Sequence, residues 1–295
     1  MPVYEQTYSH YEGEYRPRSL AWTLIARRGI LQTWRKKWFR IILLFCLAPF
    51  LIMTLRVYLA SNMELLKLLE FNTAMVKDIL HIDEEFYHTF LLIQSFPCFL
   101  MTLFTGADLI ASDRRTKALT LYLSKPITRL DYLFGKASIT CFYLYLVSLI
   151  PGLLLMFFYA FFNENWMYLW ENRQIAGRIV LLSHIYIIPM IALILAISSM
   201  TRSKVSAVVM YCVIVFVPET LVNILYHLVE DTWINPDYFS LFSLNTINQQ
   251  LGAVLFKQDI PYDIHWVWYV SALAVLIALC GLILNKQIRA VEVVK

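Results

Sequence analysis

The residues best suited to electrostatic recognition lie in one block, residues 112–136. Six Lys and Arg residues fall within it, between long apolar runs: Arg114, Arg115, Lys117, Lys125, Arg129 and Lys136. Guanidinium and ammonium groups at this density bind carboxylates and phosphates. The block therefore predicts a basic surface, outside the membrane, that another molecule recognises.

A carboxylate inside an apolar run is the second chemical feature. Glu219 follows Pro218 in such a run, and His227 lies further along it. Because desolvation of a charge is costly, an ionisable residue there indicates a function. Three roles stay open for Glu219: gating a translocation path, binding a cation, or capping a helix that restarts after Pro218.

No catalytic motif accompanies these residues. The sequence contains neither a His-Glu-x-x-His metal motif nor a Gly-x-x-x-x-Gly-Lys-Ser/Thr phosphate-binding loop. We expect a chain that is not an enzyme, binds no cofactor or metal of its own and binds no nucleic acid.

The elements that position these residues are membrane spans. At 59% hydrophobic and 16% charged residues, the chain is too apolar for a soluble domain. A helix needs about 20 apolar residues to cross the hydrocarbon layer. Six segments meet or approach this requirement: 38–60, 89–107, 137–162, 179–200, 205–229 and 266–285. Pro218 is expected to break the fifth, leaving a tilted or re-entrant piece after it.

Most of the 25 Lys and Arg residues fall on one side of these spans. Positive flanks stay in the cytoplasm, so both termini are predicted to be cytoplasmic, in a multi-pass protein of the plasma (inner) membrane. Asp108, at the inner end of the second span, is expected to pair with Arg114 or Arg115.

An amphipathic helix is predicted over residues 20–37, after a cytoplasmic tail of residues 1–19. Leu24, Leu31, Trp34 and Trp38 share a face that Arg27 interrupts, which favours an elbow helix lying in the membrane surface. The alternative is a positive flank that only fixes topology.

A short cytoplasmic helix is predicted between the second and third spans, within a loop of residues 111–136. It runs from Asp113 to Leu123 and stops before Pro126. Thr128 and Asp131 then form a capping box that starts the third span. An ordinary positive loop is the alternative.

The segment 230–265 is too apolar for a solvated loop and too interrupted for a span. It is expected to be a re-entrant or surface segment on the outer side, or a partly buried lid. The sixth span and a short cytoplasmic tail, residues 286–295, follow it. Residues 38–285 are thus predicted to form a single transmembrane domain.

The loop resembles that of ABC-2 type transporter permeases. The resemblance rests on Asp113-Arg114, on Leu123-Ser124-Lys125-Pro126-Ile127-Thr128-Arg129 and on Gly135-Lys136. The family pattern has an acidic-Arg pair, a Gly-Thr-Leu-Glu-like step, Leu-Ser-x-Pro-Val-Ser-Arg and Gly-Lys. Lys117-Ala118 and Thr120 depart from its second step, and Asp113 stands for the more usual Glu.

The resemblance implies that the short helix fits a cleft on a separate ATPase subunit, present in two copies, which binds ATP and Mg. The coupling residues would be Asp113, Arg114, Arg115, Lys117, Leu119, Tyr122, Leu123, Pro126 and Arg129. A second permease chain, identical or related, and membrane lipids complete the expected partners.

We therefore expect the transmembrane permease of an ATP-driven exporter, with Glu219, Pro218 and His227 as candidate path or gate residues. The alternative is an ABC-2 permease that serves an assembly or maturation task, such as metal-site maturation or motility. A membrane-embedded enzyme would need a catalytic constellation that the sequence does not show.

Overall fold

The computed structural model describes residues 21–62, 80–118, 128–229 and 236–288. Within those ranges every regular element is a helix and no strand occurs. Six helical segments are long and apolar enough to cross a membrane: Lys37–Ser61, Glu84–Arg115, Arg129–Phe162, Arg173–Met200, Lys204–Leu225 and Trp266–Gln287. The predicted six-span, all-α polytopic fold is confirmed.

The α-helices are numbered in chain order: α1 (Ala21–Trp34), α2 (Lys37–Cys46), α3 (Ala48–Ser61), α4 (Glu84–Ile93), α5 (Ser95–Gly106), α6 (Ala111–Arg115), α7 (Arg129–Leu144), α8 (Ile150–Phe162), α9 (Met167–Glu171), α10 (Arg173–Met200), α11 (Lys204–Val229), α12 (Leu244–Phe256) and α13 (Trp266–Gln287). A π-helical turn, Tyr145–Leu149, joins α7 to α8, and a 3₁₀ segment, Pro236–Phe242, precedes α12.

Several spans begin earlier than hydropathy predicts, because their polar first turns are capped. The Asp83 carboxylate accepts a hydrogen bond from the backbone N–H of Phe86 at 3.0 Å, which starts α4 ahead of the predicted residue 89. Thr128 and Asp131 form the predicted capping box at the start of α7. Caps satisfy backbone donors that otherwise need water, so helices extend beyond their apolar stretches.

The predicted N-terminal helix is shorter in the structure. α1 ends at Trp34, and Lys36 has an extended backbone (φ −75°, ψ 120°) before α2 begins. Trp38 therefore lies on α2, in the first span, and not on the same helix as Leu24, Leu31 and Trp34. The turn at Lys36 lets α1 lie against α7 while α2 enters the bundle.

The second and fourth spans form the centre of the bundle, because most residues of α5 and α10 are buried. Gln94, between α4 and α5, donates its Nε2 hydrogen to the Cys46 carbonyl at 2.8 Å. The Cys46 carbonyl belongs to the last turn of α2, where backbone carbonyls have no donor within the helix. The first, fifth and sixth spans keep most of their apolar surface exposed.

The expected break at Pro218 does not occur. α11 runs without interruption from Lys204 to Val229, with Pro218 inside it. Proline removes one backbone hydrogen bond, but an apolar environment gives the freed backbone no water to bind, so the helix continues. Glu219 consequently does not cap a restarted helix.

The described part of the predicted outer segment folds into the 3₁₀ turn and α12. Ser243 caps α12 by accepting from the N–H of Thr246 at 3.3 Å, and Lys257, the residue after the helix, caps its other end with φ 55°. Most of α12 is buried against α4 and α10. This burial argues against a surface helix and fits both a re-entrant element and a partly buried lid.

Candidate functional site

A buried ion pair joins the second and third spans at the end of the bundle where basic residues collect, here called the basic end. Asp113, whose side chain is only 13% exposed, accepts hydrogen bonds at 2.7 Å from both the Lys136 ammonium and the Tyr132 hydroxyl. Lys136 also donates to the Leu109 carbonyl at 2.8 Å. Both charges are therefore well satisfied, as burial requires.

The fourth span joins the same cluster. The Arg114 guanidinium donates to the Ser199 carbonyl at the end of α10. The adjacent Ser198 hydroxyl accepts from the N–H groups of Ile110 and Ala111, both at 3.0 Å, and donates to the Ala107 carbonyl at 2.9 Å. We call Asp113, Arg114, Tyr132 and Lys136 the basic-end junction, because together they fasten three spans.

α1 packs closely on α7 through two glycines, Gly29 on α1 and Gly135 on α7. A Cβ atom at Gly135 would lie 2.8 Å from Ile25 Cβ and 3.0 Å from the Trp22 carbonyl oxygen. The Tyr143 hydroxyl donates to the Ile30 carbonyl at 2.8 Å. α1 is therefore fixed to the third span.

The predicted elbow residues point away from this contact. The side chains of Leu24, Leu31 and Trp34 are each about half exposed, and that of Trp38 on α2 is 79% exposed. An exposed apolar face opposite a packed one is typical of a helix at a membrane surface. Placement in that surface stays a prediction.

The structure divides the predicted coupling residues into internal contacts and exposed side chains. α6 ends at Arg115 and Lys117 has φ 56°, so no helix runs continuously from Asp113 to Leu123. Asp113 and Arg114 are internal contacts, whereas the side chains of Arg115, Lys117 and Arg129 are exposed. The remaining predicted coupling residues lie outside the described ranges: Leu119, Tyr122, Leu123 and Pro126.

The expected pairing of Asp108 with Arg114 or Arg115 is wrong. Asp108 forms no ion pair in the part of the chain that the structure describes, and its buried Oδ1 atom accepts no hydrogen bond there. Arg114 is instead held by the Ser199 carbonyl. Arg114 is close to Asp108 in sequence, but helix packing directs its side chain toward α10.

A second polar site lies deeper in the bundle, where α5, α11 and α12 meet. The Asn245 amide donates to Glu219 Oε1 at 2.7 Å. A cavity of about 80 Å³, here called the Glu219 cavity, is lined by Phe96, Phe99, Phe216, Glu219, Asn245 and Asn248, among others. Asn248 is 1% exposed, and neither polar atom of its amide has a partner among the described residues.

Pro218, a second candidate path residue, does not line this cavity. Pro218 lines a separate apolar cavity of about 310 Å³ beside Leu221, Val222 and Phe239. The backbone of His227 lies in α11, and its side chain is outside the described structure. Of the two candidate path residues whose side chains the structure describes, Glu219 lines a polar site and Pro218 does not.

A comparison with protein families decides the class of the molecule. The model that describes ABC-2 family transporter proteins matches residues 23–285, which is most of the chain. The chain belongs to the ABC-2 transporter family. No curated protein sequence matches it.

Membership makes this multi-pass membrane protein the transmembrane permease subunit of an ABC transporter and implies an ABC ATPase as its partner. The ABC-2 match covers α1 through nearly all of α13, so the basic-end junction and the Glu219 cavity both lie within the family region.

Sequence reasoning missed the amides of the Glu219 cavity. The signal was present in Asn245, Asn248, Gln249 and Gln250, a polar run inside an otherwise apolar segment of the permease. Among the described residues of this ABC-2 chain, no three His, Cys, Asp or Glu side chains are placed to hold a metal ion. Hydrogen bonding and charge are the chemistry that the described sites offer.

Proposed function

We propose that this permease is moved by ATPase subunits that bind the loop between α6 and α7, and that it exports its cargo. The basic-end junction is the observation that carries the proposal. The Asp113–Lys136 ion pair fastens the two ends of the loop to each other, and Arg114 fastens them to α10. Force applied to the loop would therefore move the second, third and fourth spans together.

Within this proposal the coupling residues have two roles. Asp113 and Arg114 are positioning residues, because their polar atoms are engaged inside the permease. Arg115, Lys117 and Arg129 present exposed side chains at the loop ends and are proposed to contact the ATPase. Leu119, Tyr122, Leu123 and Pro126 are proposed to complete that contact.

The partners follow from the family and from exposed surface. Two ATPase subunits would supply ATP and Mg, and a second permease chain, identical or related, would complete the path. The Glu219 cavity supports a paired arrangement, because Phe96 and Phe216 are 53% and 43% exposed beside a carboxylate that is costly to leave against lipid. We assign this face to a translocation path between two chains.

The orientation is part of the proposal. The basic end and both termini face the cytoplasm, and the protein resides in the plasma (inner) membrane. α1 lies on the inner membrane surface, with Leu24 and Leu31 in contact with lipid. Export is the direction that the family resemblance favours.

Co-purification tests the coupling proposal. The tagged permease is co-expressed with the ATPase encoded beside its gene, as wild type and as Arg115→Glu with Arg129→Glu. Reversing two exposed charges is expected to reduce recovery of the ATPase about tenfold, since rim charges mainly govern association. Arg202→Glu, at an exposed basic-end position between α10 and α11, is the matched control.

The proposal fails if the wild-type permease purifies without an ATPase, or if the double reversal leaves recovery unchanged. Loss of ATPase in the Arg202→Glu control would indicate nonspecific charge attraction and would also contradict a contact at the loop.

A further inference from the structure

A polar cavity lies at the basic end. Its volume is about 400 Å³, and it is bounded by α1, the end of α5, α7 and the first residue of α11. Asp113 and Lys136 form its buried side, and Asp108 is half-buried beside them. Three exposed cations, Arg28, Lys36 and Lys204, line its mouth.

The charges in this cavity have an unusual arrangement. Lys136 neutralises Asp113 at 2.7 Å, whereas no cation among the described residues forms an ion pair with Asp108. Asp108 Oδ1 is buried and accepts no hydrogen bond from the described residues, although buried carboxylate oxygens are nearly always bonded. The cavity therefore presents an acceptor inside and cationic donors at its mouth.

This arrangement selects a ligand that carries both charges. A simple anion would meet the three cations but would also lie against Asp108. A simple cation would suit Asp108 but would have to pass Arg28, Lys36 and Lys204. A ligand with an ammonium group a few atoms away from a phosphate matches both parts.

The mouth of the cavity also has an apolar side. Phe104 lines the cavity and is 42% exposed, and Lys204 Nζ lies 6.0 Å from its ring centroid. The neighbouring α1 exposes Leu24 and Leu31. Acyl chains attached to a bound headgroup would leave the cavity along this apolar surface.

We infer that the cavity binds a phosphate–primary ammonium group, as in a phosphoethanolamine headgroup, with the ammonium donating to Asp108 and the phosphate accepting from Arg28, Lys36 and Lys204. The volume lies within the usual range for small-ligand sites. Basic cavities between spans are a common way of holding lipid headgroups. The inference does not depend on coupling to an ATPase.

Native mass spectrometry of the purified full-length permease tests the assignment. Detergent micelles are supplied with equal amounts of phosphatidylethanolamine, phosphatidylcholine and phosphatidylglycerol. The wild type is expected to retain phosphatidylethanolamine about tenfold more than either of the other two lipids. A tenfold difference in affinity corresponds to one charge-assisted hydrogen bond. Methylation in phosphatidylcholine removes the ammonium donors, and phosphatidylglycerol has no ammonium.

Three variants test which side chains bind the lipid headgroup. Asp108→Asn is expected to abolish the preference for phosphatidylethanolamine while retention of phosphatidylglycerol stays equal or rises. Lys36→Gln with Lys204→Gln, at exposed positions that tolerate substitution, is expected to reduce retention of all three lipids. Asp259→Asn, an exposed carboxylate on the loop after α12, is the matched control and should behave as wild type.

Competition with soluble phosphoethanolamine identifies the source of the group. Displacement of the lipid by millimolar phosphoethanolamine means that the headgroup alone suffices, and a soluble ligand is then a possible source. Retention of the lipid despite the competitor means that acyl contacts are needed, which assigns the site to a membrane lipid. Equal retention of the three lipids by the wild type, or an unchanged preference in Asp108→Asn, overturns the inference.

Discussion

The basic-end junction and the Glu219 cavity place carboxylates in the same membrane protein under different conditions. Asp113 has a cation and a hydroxyl within 2.7 Å, and its lysine partner also bonds a carbonyl. Glu219 has one amide partner, and the neighbouring Asn248 amide has none among the described residues. Buried polar networks that are fully satisfied make a structure rigid, whereas incompletely satisfied ones retain capacity for a ligand.

The surroundings of the two sites agree with this difference. The junction lies where α6, α7 and α10 meet, and Asp113 and Lys136 are buried there on the inner side of the polar cavity. The Glu219 cavity opens beside exposed phenylalanines of α5 and α11. A buried ion pair suits a contact that transmits movement, and an open face suits contact with a cargo or a second chain.

Breaking the junction is expected to have the largest effect. Lys136→Ala leaves the Asp113 carboxylate buried without its cation, which typically costs about 3–5 kcal/mol. Thermal unfolding of the purified permease in detergent measures the loss, with Lys286→Ala, an exposed lysine on α13, as the control.

A double variant separates pairing from packing. Asp113→Asn with Lys136→Met removes both charges and keeps side chains of similar length, so it should recover much of the stability. If the double variant is as unstable as Lys136→Ala, the ion pair is not the reason for the loss.

The contact between α1 and α7 gives the next largest effect. Gly135→Ala places a Cβ atom 2.8 Å from Ile25 Cβ and 3.0 Å from a backbone oxygen, and such overpacking costs about 1–3 kcal/mol. Gly177→Ala is a matched control on α10, because nothing lies within 4 Å of its added Cβ, and it should be neutral or stabilising. The unfolding midpoints of the two variants are compared directly. Equal midpoints would contradict close packing of α1 on the third span.

How far the sequence predicts these regions depends on how local each feature is. The six spans follow from apolar runs, and the Thr128–Asp131 capping box depends on residues three apart, so both were predicted and confirmed. The Asp113–Lys136 pair was not predicted, because it requires the relative positions of two spans.

The prediction for the fifth span was wrong for a different reason, because it relied on a local rule that the surroundings override. A local rule, that proline ends a helix, was applied to Pro218, but α11 continues through it. In water the freed carbonyl would be hydrated and the helix would break easily. Inside a membrane-spanning bundle the alternatives to helix are poorer, so the local rule has less force.

The Glu219 cavity, unlike the basic-end junction, is expected to admit water, and cysteine labelling tests this difference. In a background whose native cysteines are replaced, Glu219→Cys is expected to react with a membrane-impermeant maleimide about tenfold faster than Val217→Cys. The reason is that a thiol facing lipid is not ionised, whereas one in a water-filled path can form the reactive thiolate. Val217 lies on the same helix and is 46% exposed. Equal rates would remove Glu219 from the proposed path.

A more exposed ion pair at the opposite end of the bundle should matter least. Arg178 on α10 pairs with Glu84 on α4, and the Glu84 side chain is 38% exposed, compared with 13% for Asp113. Solvent screens such a pair, so Glu84→Gln is expected to lower the free energy of unfolding by less than about 1 kcal/mol. The loss should shrink further in high salt, whereas that of Lys136→Ala should persist, because a buried pair is screened much less. Unfolding both variants at low and high ionic strength therefore shows whether burial, and not pairing alone, makes the basic-end junction rigid; equal salt sensitivity would contradict that conclusion.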